Sequence, residues 1–357
     1  MKNDVNLKVA IDGTPLFGKS DGSGVYTYNL IENLALIEKK DLFYVYYPNA
    51  PLFRKSSLKV KQHNIKPKRS YFGLNFTKGI GVCHDTSMSF LYSGAFGKPA
   101  GRLVATIYDS AALSNTRYKR DLTVLDAVIT PSEMLKRELA DNSGLPLSKI
   151  SVIRPGIESF FSPVTTYQKS LIKARYSISG SYMIFSGKIE ERKNIRRILE
   201  AYSALKYESP PLIVFAGETG WLKDSLFDMA KAYGVEKNIR HLGFVPRKHL
   251  PALMGAALFM IRPSLYDGFA FPVLEAMASG CPVIASSTTC ASELCGDAGL
   301  LVDPGETDKI ASAMRRLMSD EKLRSSLAGK GLERSTEFSA SKMARETLQL
   351  YREVQGR

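Results

Sequence analysis

The stretch Ser264-Leu265-Tyr266-Asp267-Gly268-Phe269-Ala270-Phe271-Pro272-Val273-Leu274-Glu275-Ala276-Met277-Ala278-Ser279-Gly280-Cys281-Pro282-Val283-Ile284-Ala285 decides the fold. Before it, Leu258 to Ile261 reads as a short buried strand. Asp267 and Gly268 then make a loop, Pro272 opens a helix, and Val283 begins another strand. Proline suits the first turn of a helix because the N–H it lacks is one the helix leaves unpaired. Apolar β-rich runs separated by helical patterns are the mark of β-α-β units on a parallel sheet.

The same alternation extends outward along almost the whole chain. Strand-like runs in the first half are Lys8 to Ile11, Phe43 to Tyr47, Gly81 to Cys83, Leu103 to Ile107, Ala127 to Thr130 and Ser151 to Ile153, with helices near Val25 to Ile37 and Ser132 to Ala140. The segment from Pro155 to Gly180 carries Pro155-Gly156, Ser162-Pro163 and Ser177 to Ser181 and reads as a turn-rich joint. After it come Tyr182 to Ser186, Leu212 to Ala216, Arg240 to Leu242, Leu258 to Ile261, Val283 to Ala285 and Leu300 to Val302, with helices at about 194–206, 221–233, 246–254 and 272–279. The expected class is α/β, with two doubly wound domains in tandem. Such sheets bind ligands beyond the carboxyl ends of their strands, so a site in the cleft between the domains is expected.

The 357 residues are 44% hydrophobic and 24% charged, a composition that fits two globular cores and excludes disorder, collagen and coiled coil. Apolar runs such as Ala256 to Ile261 are far shorter than the ~20 residues of a bilayer-spanning helix. Met1 to Ile11 reads as the approach to a first strand and not as a secretory leader, so a cytoplasmic protein is expected. The cysteines at 83, 281, 290 and 295 lack paired spacing, so free thiols are expected, with neither a disulfide framework nor a zinc site.

The net charge is +14, from 49 Lys and Arg against 35 Asp and Glu. It implies an anionic partner. Between Asp41 and Asp85 there is no acidic residue, while Arg54, Lys55, Lys59, Lys61, Lys66, Lys68, Arg69 and Lys78 alternate with Leu52, Phe53, Tyr71, Phe72 and Phe76. The stretch 54–78 reads either as a solvated loop or as a dock for an anionic membrane face. At ~1 kcal/mol per basic residue near such a surface, half of its cations would supply ~4 kcal/mol. No helix-turn-helix, zinc-finger or aromatic RNA-binding signature accompanies the charge, so nucleic acid is not the expected partner.

Three constellations carry chemistry. Asp12-Gly13, Gly22-Ser23-Gly24 and a helix from Val25 bring glycine backbone to a helix start, where unpaired N–H groups favour phosphate. A plain loop fits equally well, because Thr27 stands where a dinucleotide fingerprint would have its third glycine. In Phe185-Ser186-Gly187-Lys188-Ile189-Glu190-Glu191-Arg192-Lys193-Asn194, a strand ends in glycine and cations follow. Lys188 and Lys193 suit neutralisation of a diphosphate leaving group, the alternative being a solvated turn screened by Glu190 and Glu191. Finally, Asp267 on the loop and Glu275 on the helix suit paired hydroxyls such as those of a ribose and a hexose. The N–H groups of Phe269, Ala270 and Phe271 at the helix start suit phosphate.

These segments, with Leu242-Gly243-Phe244-Val245 and Leu125 to Glu133 followed by Ile150 to Ile157, resemble the retaining glycosyltransferases of family four, typified by bacterial mannosyltransferases of surface-polysaccharide assembly. The likeness runs from Asp12 to about Phe338. It implies a GT-B fold: a Rossmann-like acceptor domain over 1–165, onto which a helix at 339–357 packs back, and a Rossmann-like donor domain over 166–338. It further implies that Glu275 holds the nucleotide ribose and Asp267 grips hydroxyls of the transferred sugar. Lys188 and Lys193 bind the donor diphosphate with help from Gly187 and the amides of Gly268, Phe269, Ala270 and Phe271. Gly22 and Gly24 close on the diphosphate, and Phe244 and Val245 frame the base.

Three positions depart from the family pattern. Asp267 is one methylene shorter than the usual Glu, Lys188 replaces an Arg, and Tyr108 stands where a histidine contacts the donor sugar. His84 matches a second histidine and is expected to be satisfied within the core. The resemblance implies a nucleotide-diphosphate sugar as donor, GDP-mannose by family frequency, and a glycan or lipid-linked glycan as acceptor, without metal or other cofactor. It implies a location at the inner face of the cytoplasmic membrane. The alternatives are another sugar-nucleotide enzyme on this fold, an epimerase or phosphorylase, and a non-catalytic membrane- or polyanion-binding module.

Overall fold

Parallel strands must be buried on both faces, so they come from apolar runs joined by helices. The structure, a computed structural model, describes residues 7–17, 22–48, 62–70, 79–88, 101–109, 122–207, 210–220 and 225–356. Its contacts divide the chain into two compact units, Met1–Gly156 with Phe338–Arg357, and Ile157–Glu337, so the division falls ahead of the expected point after residue 165.

The first unit holds β1 (Lys8–Asp12), β2 (Leu42–Pro48), β3 (Ile65–Ser70), β4 (Val82–Asp85), β5 (Arg102–Thr106), β6 (Ala127–Thr130) and β7 (Ile150–Val152). They form one sheet in the order β3-β2-β1-β4-β5-β6-β7, every pair parallel. The order reverses between β1 and β4, which makes the sheet doubly wound. The helix Gly22–Ile37 packs against the helix Ala340–Gln355.

Strand β3 lies within the basic stretch, which the sequence reading left as either a solvated loop or a membrane dock and in which no strand was expected. Pro67 and the neighbouring charges mask the strand pattern. β3 is an edge strand, however, where proline and lysine are tolerated and discourage pairing with other chains. Lys66 is exposed there, while Arg54, Lys55, Lys59, Lys61 and Lys78 lie outside the described residues.

The second unit holds β8 (Tyr182–Ser186), β9 (Leu212–Ala216), β10 (Ile239–Gly243), β11 (Met260–Arg262), β12 (Val283–Ser286) and β13 (Leu300–Val302) in the order β10-β9-β8-β11-β12-β13, again all parallel. Tyr182, Met183, Ile184 and Phe185 are fully buried, as a central strand covered on both faces requires. The helix Ile195–Ser203 buries Ile195, Ile198, Leu199 and Tyr202, one face at helical spacing.

A further correction is the helix Thr166–Arg175, inside the segment read as a joint. It buries only Ile172, so its apolar period is faint. Its signal was the capping box, Thr165 with Gln168. The four cysteines are free and buried. Among the described residues no helix is long and apolar enough to cross a membrane.

Candidate functional site

In the second sheet the strand order reverses between β8 and β11, and the loops beyond their carboxyl ends are Gly187–Asn194 and Pro263–Ala270. This switch point is where open α/β sheets hold ligands. The two loops are stitched together. The Leu265 N–H donates to the Arg192 carbonyl at 2.9 Å. Asn194, left-handed at φ 61°, donates its side-chain amide to the carbonyls of Pro263 at 3.0 Å and Pro304 at 2.8 Å. Lys193 is thereby turned inward.

Lys193 Nζ donates to Asp267 Oδ1 and, at 3.3 Å, to the Tyr266 carbonyl. Arg262, the last residue of β11, forks onto the same carboxylate: Nε to Oδ2 and Nη2 to Oδ1, both at 3.0 Å. Its third nitrogen, Nη1, donates to the Ser186 carbonyl at 2.6 Å, and the guanidinium lies 5.6 Å from the centre of the Phe185 ring. All three charged side chains are buried: Lys193, Arg262 and Asp267 are 3%, 4% and 8% exposed. Gly187 has φ +117°, a backbone conformation that favours glycine at this strand end, and it lies against Arg262 Nη1.

Burial alone would raise the Asp267 carboxyl, but the charges of Arg262 and Lys193 outweigh it and hold the group well below the usual carboxylate range. Burial, and then the Arg262 charge, brings Lys193 down to about 8 against the pull of Asp267.

Glu275 sits on the helix Phe271–Ala278 and is 2% exposed. Its Oε1 forms an ion pair with Arg247 Nη2 at 2.8 Å but has no hydrogen-bond partner of good geometry. Arg247 gives its fork to Glu158 instead, Nε to Oε1 at 3.0 Å and Nη2 to Oε2 at 2.8 Å, and lies 5.1 Å from the centre of the Phe161 ring. Burial, with the Glu158 charge added, raises the Glu275 carboxyl in spite of Arg247. At the helix start Ala270 is left-handed, φ 62°. The rings of Phe269 and Phe271 pack edge-on at 4.9 Å, and Gly268 is half-buried.

The structure joins Lys193 to Asp267 and sets Lys188 apart. Lys188 is 57% exposed and pairs with Glu190 at 3.0 Å, and Glu190 also takes Arg192 at 2.7 Å. Past β10, Phe244 is exposed and Val245 buried. In the first unit, Gly22 and Gly24 lie inside the first turn of a helix that starts at Gly22, three residues before the expected Val25. Tyr108 is half-buried and meets the Tyr26 ring edge-on at 5.4 Å. His84 is fully buried, with Nδ1 2.6 Å from the Tyr351 hydroxyl and Nε2 2.7 Å from Thr106 Oγ1.

Sequence reasoning missed Arg262, Arg247 and Glu158. An arginine closing an apolar strand, five residues before Asp267, was a usable signal for the first. Glu158 and Arg247 are far apart in the chain, and no local pattern pairs them.

The family model described as Glycosyl transferases group 1 matches residues 173–334, which contain the Lys193–Asp267–Arg262 cluster, Glu275 and Arg247. The O-antigen chain mannosyltransferase B of Escherichia coli is 32% identical over 229 residues, 63% of this chain and 60% of that protein's length. An uncharacterized glycosyltransferase of Methanocaldococcus jannaschii, MJ1607, is 30% identical over 290 residues, 77% of this chain and 72% of its own. Among solved structures, Anabaena Alr3699/HepE in complex with UDP and glucose superposes with a TM-score of 0.77 at 16% identity, covering 97% of this chain and 99% of that one. Sucrose-phosphate synthase from Thermosynechococcus elongatus gives 0.79 at 17%, covering 98% and 99%. The fold is therefore α/β of the GT-B type, two Rossmann-like parallel-sheet domains. With the family model lying over the donor-side loops and a glycosyltransferase relative matched along most of its length, the chain belongs to the group 1 glycosyl transferases.

Proposed function

We propose that the protein is a retaining hexosyltransferase. In this reading it moves a sugar from a nucleotide-diphosphate donor, GDP-mannose first among the candidates, to a saccharide or lipid-linked glycan acceptor in surface-polysaccharide synthesis. The observation that carries the reading is the buried, net-positive Lys193–Asp267–Arg262 cluster beside a buried Glu275 oxygen without a hydrogen-bond partner of good geometry, all at the switch point of the second sheet. The likeness to an O-antigen chain mannosyltransferase supports mannose and a polysaccharide acceptor.

In this reading the ribose hydroxyls donate to Glu275, and Lys193 neutralises charge as it builds on the departing diphosphate. A carboxylate has about four acceptor sites. Asp267 uses three, which leaves one for a sugar hydroxyl. Phe244, exposed past β10, is the surface for the base. The acceptor hydroxyl enters on the face the diphosphate leaves and passes its proton to that diphosphate, so positioning and charge carry the rate. The basic stretch 54–78, of which Lys66 lies on an exposed edge, is the proposed contact with an anionic membrane face.

A thermal-shift screen of GDP, UDP, dTDP and ADP tests this. One of them, at about a hundredfold excess over its Kd, raises the melting temperature by about 5 °C, and its hexose conjugate yields a transferred glycosyl product. No shift with any nucleotide would overturn the reading, as would epimerisation or phosphorolysis without transfer.

A further inference from the structure

We propose that Arg262 is a positioning residue of the donor site, cancelling the charge of Asp267 so that the ammonium of Lys193 is left to face the diphosphate. The proposal rests on the functional reading above and adds a residue to it.

Among the described residues, Lys193 and Arg262 are the buried lysine and arginine side chains. Two cations share the single Asp267 carboxylate, and the trio carries one net positive charge. Without Arg262, Lys193 and Asp267 would form a neutral pair, and an anion approaching Lys193 would meet the carboxylate as well. The planar fork of Arg262 engages both carboxylate oxygens at 3.0 Å. This is the geometry for which guanidinium is suited. Its remaining contact, 2.6 Å to the Ser186 carbonyl, together with the Phe185 ring, fixes it at the end of β11. It therefore acts through Asp267. Lys193, a compact ammonium on a flexible stem, is free to shift from the Tyr266 carbonyl toward an incoming anion. Lys188 does not supply the second buried cation, because its charge is spent at the surface on Glu190.

The test is isothermal titration of the full-length chain with GDP, UDP and ADP, each beside its monophosphate, in wild type, Arg262→Met, Arg262→Lys and the double variant Arg262→Met with Asp267→Asn. Arg262→Met is expected to weaken diphosphate binding about tenfold while changing monophosphate binding less than about threefold. Arg262→Lys, which keeps the charge but loses the two-pronged fork, is expected to fall between wild type and Arg262→Met. The double variant removes one charge of each sign and is expected to recover most of the loss. Equal weakening of mono- and diphosphate, or no recovery in the double variant, would overturn the proposal. If Arg262→Met alone does not fold, the double variant decides: diphosphate affinity near wild type supports the proposal, and a tenfold deficit sinks it. Wild type binding none of these nucleotides would overturn the functional reading itself, whereas unchanged diphosphate affinity in Arg262→Met would overturn only the role of Arg262.

Discussion

Asp267 accepts three charge-assisted hydrogen bonds while largely buried, and Lys193 is the one partner whose charge can be titrated away. The groups around that ammonium are Asp267, Arg262, Arg192 and the thiol of Cys290. Arg262 and Lys193 hold the Asp267 carboxyl well below its usual range, and burial raises the thiol well above its ordinary value. Lys193, brought down to about 8, is thus the group that changes. Its charge is full below about pH 7 and lost as the pH rises through 8, so diphosphate affinity is expected to be level from about pH 6.5 to 7.5 and about tenfold weaker by pH 9.5. In Lys193→Ala the profile should be flat. Titration calorimetry along this range checks it, and an affinity constant to pH 9.5 in wild type would remove Lys193 from the diphosphate. At this scale the sequence exposed residue types but not their partners. Asp267, Glu275 and Lys193 stood out as charges on the loops and the helix that follow buried strands. Arg262 closes an apolar strand, which was a usable signal, but nothing local says that its fork closes on Asp267 and not on water.

Elements were easier to read where burial is complete. β6 and β8 match their predicted runs residue for residue, since a strand buried along its whole length leaves no exposed position to blur it. β3 and the helix Thr166–Arg175 escaped for the opposite reason: an edge strand and a mostly exposed helix bury too little to leave a period. The helix Ala340–Gln355 is tied to the first sheet by Tyr351, whose hydroxyl meets His84 Nδ1 at 2.6 Å. Burial pushes His84 down to about 3, so the ring is neutral and each nitrogen has one fixed role, donor or acceptor. Tyr351→Phe leaves Nδ1 buried without a partner, a loss of about 2 kcal/mol. Amide exchange over Ala340–Gln355 should quicken about thirtyfold, the equivalent of that energy. A change below threefold would show that apolar packing alone holds the helix.

The whole chain passes between its two units twice, at Gly156 to Ile157 and at Glu337 to Phe338. The two passages touch: a Cβ on Gly156 would lie 2.1 Å from the Ala340 nitrogen, so the backbones meet at a point where only glycine fits. The restart of the β-α pattern after residue 180 made two domains legible in the sequence. The return of the chain to the first unit is a tertiary contact that periodicity does not carry, and it was expected from the family resemblance alone.

The proposed transfer belongs to this scale as well, since it would need donor and acceptor together. The central claim, that Lys193 receives the leaving diphosphate, is tested most directly by transfer of radiolabelled sugar in wild type and Lys193→Ala. Asp267 keeps both bonds from Arg262 in the variant, so the fold is expected to survive, with an unchanged melting temperature. Turnover should fall at least about a hundredfold; turnover within about threefold of wild type would contradict the account.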